Sequence, residues 1–435
     1  MLYRPATMKK LLLINDTLEN KITYYHLAAF VSFLPFDRLY SELTLISLLL
    51  HSIIHVKKER LRNLFTLQNG LLTALFLLGV LALAWSDDKV QGLKDLQRQL
   101  AIFLFPVIFS FLGITISRYK NNILLFLSLS CTVTILYQYA DAFRIILFYD
   151  MPFHSILSVS FINHNFSEPV GIHATYLSLY TALSLSFVIT CFIDGKQSAR
   201  LWMGIMALIL LAGLVQLASK AVLISTLLYC CLVLPFFIKQ PRLRRKTILV
   251  NLIISAFVIF SITHIDTLKK RYIDTFTEDL ARTPISNEIA EPRLSRWRAG
   301  MQLVFESPGW GHGSGSEKRL LNEKYFENKL YQSYLLELNA HNQYLSFLIK
   351  TGVLGLFIFL AVLLGGLGAA LQNRDSMFTC FLILVSIVAF SENILDVNKG
   401  IFFYSFFFTL FIYSGKPFTG IKRFTKEVAQ ESRMK

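Results

Sequence analysis

The sequence lacks the usual signatures of metal-dependent and covalent chemistry. It has no HExxH, no paired-acid spacing, no phosphate-cradling GxxxxGK and no nucleophilic serine motif in a suitable context. Cysteine is sparse: Cys131, Cys191, Cys230, Cys231 and Cys380 all fall inside apolar runs without metal-ligand spacing to histidine, so buried, inert thiols are expected. No metal or cofactor is called for. Near the N-terminus, basic residues precede only the short run Leu11 to Ile14, too brief for a signal-peptide core and without a small-residue cleavage site. Insertion through the first true span is therefore expected. Fixed-period repeats and low-complexity tracts are also missing, and the stretch 149–173 contains no Lys or Arg.

What is present is apolar surface. Hydrophobic residues make up 54% of the 435 positions, and the mean hydropathy is +0.52. A bilayer core about 30 Å thick needs roughly 20 apolar residues to cross as a helix. Runs suited to crossing lie at 22–36, 43–56, 69–85, 100–116, 122–140, 174–193, 200–217, 221–238, 247–264, 342–364, 377–391 and 400–414. The first two are short, a tilted or re-entrant pair, because Asp37, Arg38 and Glu42 interrupt them. The 38 Phe and 18 Tyr suit lipid-facing surfaces and interfacial belts.

The net charge of +15 does not indicate nucleic acid, because the basic residues sit in short clusters between the apolar runs. Lys57, Lys58, Arg60 and Arg62 form one cluster, Arg242, Arg244, Arg245 and Lys246 another, and the tail from Lys416 to Lys435 a third. With a cytoplasmic N-terminus these clusters fall on the cytoplasmic side, whereas 149–173 and 265–341 fall outside. The expected fold is all-α: a polytopic membrane protein with about 12 transmembrane helices and a large, partly helical periplasmic loop. Spans 1–9 occupy 1–264, the loop domain 265–341, and spans 10–12 with a cytoplasmic tail 342–435.

That loop holds eleven basic and eleven acidic residues, enough chain for a small cap domain. Pro292 is placed to open a helix whose apolar face carries Leu294, Trp297, Met301, Val304 and Phe305. Ser307-Pro308-Gly309 ends it, and Gly309, Gly311, Gly313 and Gly315 make a mobile or tightly turning stretch. A polar, helical piece at 317–338 follows, and His341 then lies at the mouth of span ten.

Three features share the outer side in this topology: Lys220 between spans seven and eight, the group Arg293, Arg296 and Arg298, and His341. They suggest an anion clamp beside a base. Arg binds phosphate through a planar fork and Lys as a compact charge. A helix N-terminus and nearby guanidiniums both oppose an imidazolium at His341, which suits it to accept a proton. The bland readings are a snorkelling Lys220, a solvated basic face on the arginine helix and an interfacial or capping His341. His312, in the glycine stretch, is a weaker rival base.

The ordered set Ser219-Lys220-Ala221, Arg293-x-x-x-Trp297, Pro308-x-x-Gly311-x-Gly313, His341-Asn342-x-Tyr344-Leu345 and Gly352-x-x-Gly355-Leu356 resembles the O-antigen ligase and polymerase superfamily. The resemblance covers mainly 200–365. It implies a metal-independent glycosyltransferase of the bacterial inner membrane, with its active site on the periplasmic side. The donor would be a glycan on undecaprenyl pyrophosphate, and the acceptor a lipid A-core sugar or another glycan. Lys220, Arg293 and Arg296 would hold the pyrophosphate, and His341 would deprotonate the acceptor hydroxyl for an inverting displacement. The family usually has Arg where Lys220 stands, and it offers no role for His312. A repeat-unit polymerase is the alternative inside the family; a secondary transporter, a lipid flippase and a membrane scaffold are the alternatives outside it.

Overall fold

The computed structural model describes residues 11–194, 197–279 and 291–416, so the basic tail beyond 416 lies outside the described residues, as does part of the 265–341 loop. Among the described residues there are helices and turns and no strand. The principal helices are α1 (Leu18–Phe33), α2 (Arg38–Ile54), α3 (Leu67–Ala82), α4 (Lys89–Phe111) and α5 (Ile116–Phe148). Next come α6 (Ala174–Asp194), α7 (Gln197–Leu217), α8 (Lys220–Phe237) and α9 (Pro241–His264). The last five are α10 (Arg293–Glu306), α11 (Glu317–Glu327), α12 (Gln343–Gln372), α13 (Ser376–Val388) and α14 (Asn398–Ser414).

Each of the twelve apolar runs is helical, yet only seven described helices are long and apolar enough to cross a membrane alone, or eight if one bent pair is a single span. The shortfall from about twelve has a length cause. α1, α2 and α14 have 16, 17 and 17 residues, α13 has 13, and the first turns of α4 are polar. The bent pair, Arg38–Ile54 with Lys58–Phe65, turns by 119°; its first arm covers the second of the two short runs, and its second arm lies in the basic stretch that follows them. α5 is longer than its apolar run, at 33 residues. The chain is a multi-pass membrane protein.

Aromatic side chains fill the middle of the bundle: the Phe30 ring lies 5.0 Å from Phe105 and 4.9 Å from Phe406, all three buried. At its edge, α9 leaves Leu249, Leu252, Ile253, Phe257 and Phe260 exposed, an apolar face suited to lipid.

The loop after α9 folds onto the start of α12. Ala299, Leu303, Val304, Leu321, Tyr325 and Ala340 share a small core with Leu345 and Ile349 of α12, so α10 and α11 form a cap with its own apolar centre. Glu291 ties this cap together by accepting from the Gln332 and Ser333 amides and the Ser333 hydroxyl. The glycine stretch is tightly turned. α12 breaks at Gly352 (φ 63°, ψ −159°), and the strap fills the break: His312 and Gly313 amides donate to the Ile349 and Lys350 carbonyls, and Val353 donates to Pro308. A Cβ on Gly311 or Gly352 would collide with the facing backbone, which is why glycine stands at both. His312 Nε2 donates to the Leu303 carbonyl at 2.8 Å, so this imidazole ties the strap to α10.

Candidate functional site

His341 is positioned by the residue that follows it. Asn342 caps α12, its side-chain oxygen accepting from the Tyr344 and Leu345 amides, and its own amide donates to Asn393 at 2.8 Å. With the helix start fixed, the backbone at His341 turns left-handed (φ 45°), and its amide donates to the Asn339 side chain. Trp297 Nε1 donates to the Ala340 carbonyl, which anchors the same turn to α10. The imidazole is thus directed at the 389–397 turn between α13 and α14. There His341 Nδ1 lies 3.2 Å from Glu392 Oε2. A carboxylate only accepts, so Nδ1 carries a proton directed at Glu392.

Burial pushes the Glu392 carboxyl up. The hydrogen bond from His341, with the charges of His341, Arg293 and His173, pulls it down further and leaves it below the usual carboxylate range. Its side chain is 14% exposed and that of His341 26%, so the pair is sheltered but reachable.

Lys220 and Arg293 come from distant stretches and meet at one carboxylate. Ala218, in the left-handed region, turns the chain tightly between α7 and α8, and Lys220 becomes the first residue of α8. A cation there opposes the helix dipole and needs an anion nearby. Asp279 supplies it: its Oδ2 lies 3.2 Å from Lys220 Nζ and 3.5 Å from Arg293 Nε. Arg293 Nη1 also donates to the Ser391 carbonyl at 2.8 Å, next to Glu392, so Arg293 links the Lys220 cluster to the His341 pair. Arg296 sits one turn further along α10, only 5% exposed, with Nε and Nη1 both lacking a hydrogen-bond partner among the described residues.

The structure therefore brings Lys220, Arg293 and His341 into one cluster, with Arg296 buried behind it. Sequence reasoning missed four members. Glu392 and Arg271 are two: Arg271 lies within electrostatic reach of Arg293, Asp279 and Glu392. His164 and His173 are the others, with ring centroids 4.1 Å apart. Burial first, then the charges of His173 and Arg271, push His164 down to about 4. His173 is likewise lowered, mainly by burial. The available signals were three histidines, His154, His164 and His173, in a stretch without Lys or Arg, and Glu392 and Asp396 as the only carboxylates between 376 and 412.

A second ionic group stiffens this region. Lys350 on α12 pairs with Glu317 at 3.0 Å and Asp396 at 2.9 Å, and Asn393 donates to Asp396. The cap, α12 and the turn carrying Glu392 are thereby joined. The site sets an imidazole whose Nδ1 is held by a carboxylate beside a convergent set of cations.

Residues 204–360 match the O-Antigen ligase family, a segment that contains Lys220, Arg293, Arg296 and His341 and stops short of Glu392. The match supports the O-antigen ligase superfamily over nearly the span on which the motif resemblance rests. No curated protein matches the chain.

Proposed function

We propose that this membrane protein transfers a glycan from undecaprenyl pyrophosphate to a hydroxyl of lipid A-core or of another glycan acceptor, on the periplasmic face of the bacterial inner membrane. The observation that carries the reading is the junction of two clusters through Arg293, whose guanidinium reaches Asp279 beside Lys220 and the Ser391 carbonyl beside Glu392.

In this reading His341 Nε2 takes the proton of the acceptor hydroxyl as its oxygen attacks the anomeric carbon. The bond from that carbon to the pyrophosphate breaks, and the electron pair leaves with the pyrophosphate, inverting the anomeric centre. Lys220, Arg293 and Arg296 stabilise the departing charge, and Arg271 adds to the field. Glu392 holds His341 as the Nδ1–H tautomer and stabilises the imidazolium that forms, the role of the orienting acid in a hydrolase triad. Positioning and charge stabilisation supply the rate.

Purified protein in proteoliposomes, given lipid-linked glycan and acceptor in the presence of a chelator, is expected to transfer glycan, and His341→Ala to abolish transfer while the protein stays folded. Full activity in that variant, or strict dependence on added divalent metal, overturns the mechanism. Comparing mutant with complemented cells separates the two acceptors: a ligase loses attachment to lipid A-core, a polymerase loses chain length.

A further inference from the structure

A cavity of about 380 Å³ lies between α5 and the 153–170 segment, lined among others by Tyr137, Gln138, Asp141, Phe161, Asn165 and Glu168. Gln138 is 1% exposed, and neither its Nε2 nor its Oε1 has a hydrogen-bond partner among the described residues. A buried amide left wholly unpaired costs on the order of 1–3 kcal/mol. Nothing in the fold demands it there, since Leu would fill the same helix position at no such cost.

The lining selects the ligand class. A hydrocarbon tail is disfavoured by the open amide and two carboxylates, and an anion by the carboxylates alone. A metal ion is disfavoured because no group of three or more His, Cys, Asp or Glu side chains is placed to hold one among the described residues. Asp141 receives both Arg144 bonds on Oδ1, leaving Oδ2 available as an acceptor. An uncharged polyol satisfies all of these: hydroxyls donate to carboxylates, donate to and accept from amides, and the C–H face of a sugar ring stacks on aromatic rings such as Tyr137 and Phe161.

The position fits as well. At 1.5 Å per residue, the 33 residues of α5 span about 50 Å, well beyond a hydrocarbon core of about 30 Å. Arg118 and Lys120 near its start mark one boundary, so Gln138 and Asp141, about 20 residues on, lie at the other. Gln216, four residues before Lys220, donates to the Phe161 carbonyl in the cavity wall, and Asn163 donates to the Gln216 carbonyl at 3.0 Å. On the other side, Asn165 follows His164, whose ring packs on His173.

We propose that this cavity binds an uncharged pyranose residue, as a glycan subsite beside the Lys220 and His341 cluster; its place in a transfer reaction rests on the function proposed above, whereas binding itself does not. The test uses saturation-transfer NMR on the full chain in lipid nanodiscs, with methyl glycosides of glucose, galactose and N-acetylglucosamine as probes. Saturation of ring protons is expected for at least one probe, abolished in Gln138→Leu and reduced in Glu168→Gln. Glu168 is exposed, so the second variant reads out even if the first does not fold. No ring saturation with any probe, or equal saturation in wild type and Glu168→Gln together with any folded Gln138→Leu, overturns the proposal. In the transfer assay, a KM raised about tenfold in Glu168→Gln for the acceptor alone assigns the cavity to the acceptor's sugar, and for the donor alone to the donor's glycan. Saturation that depends on these residues in a chain that transfers nothing upholds the cavity and sinks the transferase reading. Transfer with saturation indifferent to both residues does the reverse.

Discussion

Replacing Glu392 by Gln keeps the size of the side chain and removes the charge that faces His341. The substitution weakens a 3.2 Å hydrogen bond between two sheltered groups, one of them ionised. Such bonds contribute about 1.5–3 kcal/mol, and each 1.36 kcal/mol on a barrier is tenfold in rate, so kcat should fall about 10- to 150-fold. The amide can also present its NH2 to Nδ1, which turns the proton onto Nε2 and removes the base from that fraction of molecules. Donor KM should not rise, because Arg293 and Arg271 lose a neutralising neighbour and hold a polyanion at least as well. Glu392 is held below the usual carboxylate range, so at neutral pH the substitution removes a full negative charge. Steady-state transfer in proteoliposomes, with donor and acceptor varied separately, resolves these parameters, and thermal unfolding controls for folding. A kcat within twofold of wild type, or an effect confined to donor KM, refutes the orienting role.

Arg293→Ala and Arg271→Ala should lower kcat/KM for the donor by about 10- to 150-fold each, the cost of one charge-assisted hydrogen bond, whereas Lys220→Arg should retain transfer; an inactive Lys220→Arg would show that the compact ammonium is required. Gly352→Ala should destabilise the fold by about 2–4 kcal/mol, from an L residue at positive φ and a Cβ driven into the Gly309 carbonyl, read as a lowered unfolding temperature in detergent. His164 gives a pH signature. Its folded value of about 4 lies below the unfolded 6.5, so the unfolded chain binds more protons between those values, and stability should fall as pH drops from about 6.5 to 4. His164→Gln should flatten that fall, and an unchanged slope of unfolding temperature against pH would count against a neutral imidazole packed on His173.

Much of the fold was legible because its signals are local. Apolar runs marked the helices, Pro292 and Ser307 bracketed α10, and the His-Asn pair marked the start of α12 because Asn342 is a cap. The number of crossings was less legible: hydropathy shows where a helix is apolar, while the bends at α2 and the polar first turns of α4 decide whether it reaches across alone. The glycines allowed two readings, mobility or close approach, and only the facing backbone of α12 decides for the second. Glu392 and Arg271 were invisible for a different reason. Each acts through partners far along the chain, Glu392 on a residue 51 positions earlier, and neither belongs to a local motif.

The position of Asp279 explains how two cations can stand close together beside lipid. Lys220 begins a membrane helix against its dipole, and Arg293 comes within reach of the same point, so together they would repel each other unless an anion stood between them. Asp279 Oδ2 does so, at 3.2 and 3.5 Å. A pyrophosphate brings more charge and more acceptor oxygens than one carboxylate, so it can take over both cations and release the aspartate from its internal pairing. Asp279→Asn should therefore tighten donor binding, seen as a lower donor KM, and should lower the unfolding temperature of the donor-free protein. Both changes follow from removing the same internal counter-charge, and an unchanged donor KM with unchanged stability would mean that Asp279 neither competes with the donor nor supports the empty clamp.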